Sequence, residues 1–266
     1  GQTRVEAAAL SNVLVGYIDP NLGINSYAPG QLGISELSGT PSGTVRVLCI
    51  EAHVGHSTAV DYQPIASTVN WDLATLLWLP EMQTSNNDTG TAMQALAWYY
   101  VGAVRTTGRL VWGNPTQAGT PAISPWSPEP WNALPAYTGL HPIGIHIGTT
   151  QLDVAEQEAY RIANKVWAWK GPWTLGQDPT LNLAALTATS DVLSGPNGPI
   201  VGAPLTFTFS NAVVTATTGA DGRATVSIPA GSNSVEITAS GPAPQVEWGR
   251  PTWQTVAVSG GSTSLS

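Results

Sequence analysis

The apolar positions of the chain follow one rhythm up to about residue 175 and another after it. Over residues 1–60 short alternating segments are broken by "DPNLG", "APG" and "GTPSG", glycine-, proline- and asparagine-rich clusters of the kind that turn one strand into the next. The clearest strand is "TVRVLCIEA", in which Val45, Val47 and Cys49 share a face under period-two geometry. Three helices are predicted after it. The first, "VNWDLATLLWL", begins at Asn70 or Ser67 and stops at Pro80. The second follows the polar loop "QTSNNDTG"; its apolar residues Met93, Leu96, Ala97, Tyr100, Val101 and Val104 recur at spacings of three and four. The third, "LDVAEQEAYRIANKVWAW", sets Ala155, Ala159, Ile162, Ala163 and Val166 on one stripe, and Gly171-Pro172 ends it. Residues 106–150 are rich in proline, glycine and tryptophan and read as loops with a few strands.

From Leu181 to Ser266 no helical period remains. "LTFTFS", "AVVTATT", "RATVSIPA", "SVEITAS" and "TVAVS" read as strands, separated by turns such as "GPNGP" and "GADGR". That spacing suits a small β-sandwich of immunoglobulin type. The predicted organisation is an α+β domain over 1–178, with a β-sheet part and about three helices, then an all-β immunoglobulin-like sandwich over 179–266. The boundary falls near "GQDPT", and the closing "SGGSTSLS" reads as the start of a linker.

Composition narrows the function classes. Charged residues are 10% of the 266, against about 25% in ordinary soluble domains. The formal charge is −8 and the only lysines are Lys165 and Lys170, so a nucleic-acid partner lacks its electrostatic footprint. No apolar run is long enough to span a bilayer, which argues against membrane insertion. No signal sequence opens the chain; low charge and threonine-rich strands favour a mature exported fragment over a cytosolic protein.

Cys49 is the one cysteine. As a small hydrophobe on a strand face it reads equally as an inert core thiol or, in an exported protein, as a reactive group. Gln94, 45 residues later, lies in "TGTAMQALAWYYV". Thr91-x-x-Gln94 fits a capping box at a helix start. Gln94 also falls on a helical stripe with Ala97 and Trp98.

Together "LCI" (Leu48-Cys49-Ile50) and "MQALAW" resemble the two motifs of the thioester domain of Gram-positive, actinobacterial-type surface adhesins. One motif is an aromatic or leucine, then cysteine, then a hydrophobe on a strand. The other resembles Thr-Gln-x-Ala-Ile-Trp on a helix. The first matches throughout; the second keeps Gln94 and Trp98 in place but carries Met93, Leu96 and Ala97 elsewhere. The resemblance covers about residues 1–175. It implies an internal thioester between Cys49 and Gln94, formed with loss of ammonia and opened by an amine, in single-turnover covalent binding rather than enzymatic turnover. It implies no cofactor and no metal. The implied partner is a host or neighbouring-cell surface protein, joined through a lysine amine, and the implied location is the cell surface, with wall anchoring through a segment outside this sequence. Trp71, Trp78 and Trp98 would supply either a dry surround or ordinary core. Residues 181–266 hold no lysine, so the second module cannot carry a lysine isopeptide cross-link of the kind found in adhesin stalks. An amine reaction calls for a base, and His53, His56, His141 and His146 are all candidates. Two other classes stay open on the residues alone: a papain-like cysteine hydrolase using Cys49, and a non-covalent glycan binder using some of the 11 tryptophans.

Overall fold

A computed structural model describes residues 3–19, 23–50, 61–101, 110–112, 144–148, 152–250 and 253–266. In chain order the elements are β1 (Arg4–Asp19), β2 (Gly23–Thr40), β3 (Gly43–Cys49), β4 (Gln63–Ile65), α1 (Trp71–Trp78), α2 (Asn87–Tyr100), β5 (Leu110–Trp112), β6 (Gly144–Gly148) and α3 (Leu152–Trp169). There follow β7 (Thr174–Leu175), β8 (Thr180–Asn182), β9 (Thr187–Thr189), β10 (Leu193–Gly195), β11 (Gly198–Pro199), β12 (Pro204–Phe209) and β13 (Val213–Thr217). The last are β14 (Thr225–Ser227), β15 (Val235–Pro242), β16 (Val246–Arg250), β17 (Trp253–Val258) and β18 (Ser262–Leu265). The described residues are thus mostly β-sheet with three helices.

Two compact units emerge, and neither is one continuous stretch of chain. The first is Gly1–Lys165 with Pro244–Ser259; the second is Val166–Ala243 with Gly260–Ser266. This differs from a division at residue 178. The "TVAVS" strand, expected in the sandwich, belongs to β17 and pairs with β3 in the first unit. Alternation shows that a segment is a strand but not which strand it will pair with.

The first unit is built on an eight-stranded sheet in the order β4-β16-β17-β3-β2-β1-β6-β5, antiparallel except for the β5–β6 pair. β1 and β2 are 16 and 18 residues long, where alternation broken by turn signals suggested short strands. "APG" does not turn the chain. Ala28, Pro29 and Gly30 lie within β2, opposite Val15, Leu14 and Val13. β3 does not reach that part of β2, and no other described strand flanks it there; an open edge is where a strand tolerates proline. "GTPSG" does turn: Thr40 pairs with Gly43, which takes φ +89°.

The helices start where side chains cap them. Asn70, one of the two predicted starts, accepts from Leu73 N–H at 3.0 Å. Its own N–H donates to Gln245 Oε1 at 3.0 Å, so the returning segment also secures α1. Asn86 caps α2 by accepting from Thr89 N–H at 3.0 Å. α2 therefore begins within the loop that "QTSNNDTG" suggested. Its residues 89–98 are all buried. α2 sits hard on the sheet through Gly90, where a Cβ would fall 2.1 Å from Ala9 O. Gly90→Ala meets backbone rather than a side chain that can swing away, so it is expected to cost about 2–3 kcal/mol, read as a fall in the urea midpoint. On α3 the stripe residues Ala159, Ile162, Ala163 and Val166 are buried as the period predicts.

The second unit is all-β among its described residues after α3. Its sheets run β11-β10-β7, β13-β12-β15-β18 and β14-β9-β8, around Leu193, Ile200, Leu205, Phe207 and Trp173. The closing "SGGSTSLS" is not a linker here: Ser262–Leu265 pairs with β15, Ala239 opposite Leu265. Main-chain hydrogen bonds do not depend on apolar side chains, and composition gave no hint of them.

Candidate functional site

Val45, Val47 and Cys49 line one face of β3, packed with Val5, Leu37, Tyr62 and Val256. Cys49 is the last residue of the strand. On one side Val256 of β17 stands opposite it, and Ile50 N–H donates to Thr255 O at 3.0 Å. By alternation the N–H and C=O of Cys49 face the other way, toward β2. There the β2 ladder has ended: Leu37 pairs with Val45, Glu36 with Arg46 and Ser35 with Val47, and the pairing stops. Among the described residues no strand meets the two main-chain groups of Cys49 on this side.

Gln94 of α2 takes that place. Cys49 N–H donates to Gln94 Oε1 at 2.8 Å, and Gln94 Nε2 donates back to Cys49 O at 2.6 Å. One turn earlier, Thr91 Oγ1 donates to Leu32 O at 2.9 Å. Two polar side chains of one helix thus satisfy the main chains of both strands where their ladder opens. Both are buried, Thr91 at 1% exposure and Gln94 at 2%. The capping-box reading of Thr91 and Gln94 is overturned, because Asn86 is the cap and Gln94 stands more than a turn deeper than the capping-glutamine position, which Thr89 occupies. Gly90 and Thr91 have roles the sequence did not suggest. The one available signal was a pair of small residues held inside a helical pattern.

Cys49 and Gln94 are both buried and neither side chain carries a charge. Burial pushes the Cys49 thiol up to about 12, since a buried thiolate loses its hydration. Cys49 thus carries a neutral thiol on its side chain, while its main chain holds a neutral carboxamide fixed by hydrogen bonds at both of its heteroatoms. Trp98, on α2 one turn beyond Gln94, is buried, and its indole N–H has no hydrogen-bond partner among the described residues. Trp71 and Trp78, on α1, are half-buried.

Of the four candidate histidines, His146 alone falls within the described residues. His53, His56 and His141 lie outside the described residues. The backbone of His146 is on β6, opposite Gly16 of β1. Two strands, β2 and β1, lie between β6 and β3, a separation of about 14 Å at ordinary strand spacing.

No known family model matches the chain, and no curated protein matches it. Among solved structures it is similar to the thioester domain of the Enterococcus faecium TIE86 protein, at 13% identity and a TM-score of 0.39, over 99% of this chain and 92% of that one. It is also similar to the Bacillus anthracis TIE protein, at 8% identity and a TM-score of 0.41. That match takes in all of this chain and 48% of the other, about half its length.

Proposed function

We propose that the first unit is a covalent-binding adhesin domain whose Cys49 and Gln94 form an internal thioester. The observation that supports this most directly is the Gln94 carboxamide, buried and held by both of its heteroatoms on the main chain of the one cysteine. In forming the bond, Cys49 Sγ adds to Gln94 Cδ, the thiol proton passes to Nε2, and ammonia leaves. Capture runs the other way with a protein amine. Its nitrogen adds to Cδ, the Sγ–Cδ bond breaks, and one amine proton ends on Sγ. Nothing is oxidised or reduced, and each protein molecule reacts once. The buried sulfur favours its protonated form, so bond breaking is coupled to proton arrival, and water exclusion protects the acyl group until a target docks.

The target is proposed to be a surface protein of a host or neighbouring cell, reached through a lysine amine, with this chain displayed outside a Gram-positive cell and anchored to its wall. The hydrolase alternative is weakened by the same site. A cysteine nucleophile is activated by a neighbouring base or a helix N-terminus, whereas Cys49 ends a strand with its thiol held protonated. To test the proposal, fluorescent cadaverine is incubated with the protein and the mixture is resolved on a denaturing gel. The dye is expected to stay on the chain at residue 94. Dye that washes off in denaturant would contradict covalent capture.

A further inference from the structure

We propose that the main chain of Cys49 selects the nucleophile: its N–H holds the acyl oxygen, and its C=O holds a hydrogen on the attacking nitrogen that the reaction does not consume. The inference rests on the thioester reading above and goes further, to which amines the site accepts. The carboxamide of Gln94 is the ammonia adduct of that thioester, so its contacts mark where a nitrogen sits when it arrives at or leaves Cδ. That nitrogen donates to Cys49 O at 2.6 Å while the acyl oxygen accepts from Cys49 N–H at 2.8 Å. Loss of ammonia keeps the second bond and removes the first. The Cys49 carbonyl, in a site where Cys49 is 7% exposed and Gln94 2%, is then a buried acceptor awaiting a donor.

By microscopic reversibility an incoming amine takes the position that ammonia left. A primary amine brings two hydrogens. One is transferred to Sγ as the Sγ–Cδ bond breaks, and the other is free to donate to Cys49 O throughout the addition. A secondary amine brings one hydrogen, which must go to Sγ, and it sets a carbon against the carbonyl instead. A hydroxyl likewise has no hydrogen to spare. The site is therefore matched to lysine side chains, with serine and threonine hydroxyls disfavoured by the same missing bond. β17 flanks Cys49 on the side away from Gln94, so the carbonyl is aimed by a paired strand rather than by a loop.

The test uses ethylamine, isopropylamine and azetidine, with rates of adduct formation read by mass spectrometry. Each rate is divided by that of the same amine on a small cysteine thioester in solution. Isopropylamine is branched but keeps two N–H hydrogens; azetidine has its carbons tied back but keeps one. The expected result is isopropylamine within a few-fold of ethylamine and azetidine slower by roughly ten- to a hundredfold, the factor for leaving one buried acceptor unpaired. Azetidine reacting at its solution ratio would overturn the proposal. So would isopropylamine falling as far as azetidine, since crowding alone would then set the order. If ethylamine forms no adduct and the chain has its full sequence mass, the thioester reading itself fails, and the selection fails with it.

Discussion

Cys49→Ala is expected to abolish capture of methylamine while the chain still folds. The electrophile is the acyl carbon of Gln94, and it exists only while Sγ is bonded to it. Without the thiol, residue 94 stays an ordinary carboxamide, and aminolysis of an amide is negligible at neutral pH. The fold should survive because the hydrogen bonds of the Gln94 carboxamide go to the main chain of residue 49, and alanine offers the same N–H and C=O. Two losses remain. Removing the sulfur from a site packed with Val5, Val47 and Val256 costs on the order of 1 kcal/mol. Losing a cross-link across 45 residues costs up to about 4 kcal/mol by the disulfide analogy, less any strain in the native bond. Intact mass after incubation with methylamine checks this: the alanine variant should gain nothing.

Gln94→Ala should be the more damaging change. It removes the cross-link as Cys49→Ala does, and it also leaves Cys49 N–H and Cys49 O buried without partners, at about 1–3 kcal/mol each. The difference between the two variants reports the ladder bonds less the sulfur packing lost only in Cys49→Ala, expected at roughly 1–5 kcal/mol in urea melts. A helix-capping glutamine would lose no more than about 1 kcal/mol on the same substitution. The freed thiol should remain silent toward thiol reagents in the folded variant near neutral pH, because burial holds it protonated up to about 12. It should be counted in denaturant at mildly acidic pH, where one thiol is expected for Gln94→Ala and none for the wild type. The variant's stability should also decline with rising pH, from the ordinary thiol value of 9.0 toward 12. The folded-state pKa is the raised one, so only the unfolded chain releases its proton in that window and alkali favours unfolding.

The parts of this site that follow from local pattern were legible in the sequence. β3 and its Val45-Val47-Cys49 face follow from alternation, the α3 stripe from a 3.6 period, and Asn70 from its capping chemistry. What escaped depends on partners distant in sequence. Thr91 and Gln94 fit a capping box letter by letter, yet the gap that draws them in is made by β2 and β3 parting beyond the Ser35–Val47 pair. Residues 244–259 read as one more sandwich strand region, but the empty side of β3 takes Val256. Pro29 signals a turn unless β2 is known to run unflanked there. Local pattern names an element and its faces; the neighbour is chosen by the whole chain.

The central claim is the bond between Cys49 Sγ and Gln94 Cδ. Intact mass of freshly purified protein, quenched in acid and kept free of amines, followed by sequencing of the peptide that carries residue 94, tests it most directly. The account predicts a chain lighter than its sequence by one ammonia, with any opened fraction carrying glutamate at position 94. A full sequence mass with glutamine intact at position 94 and a free thiol at Cys49 would contradict it.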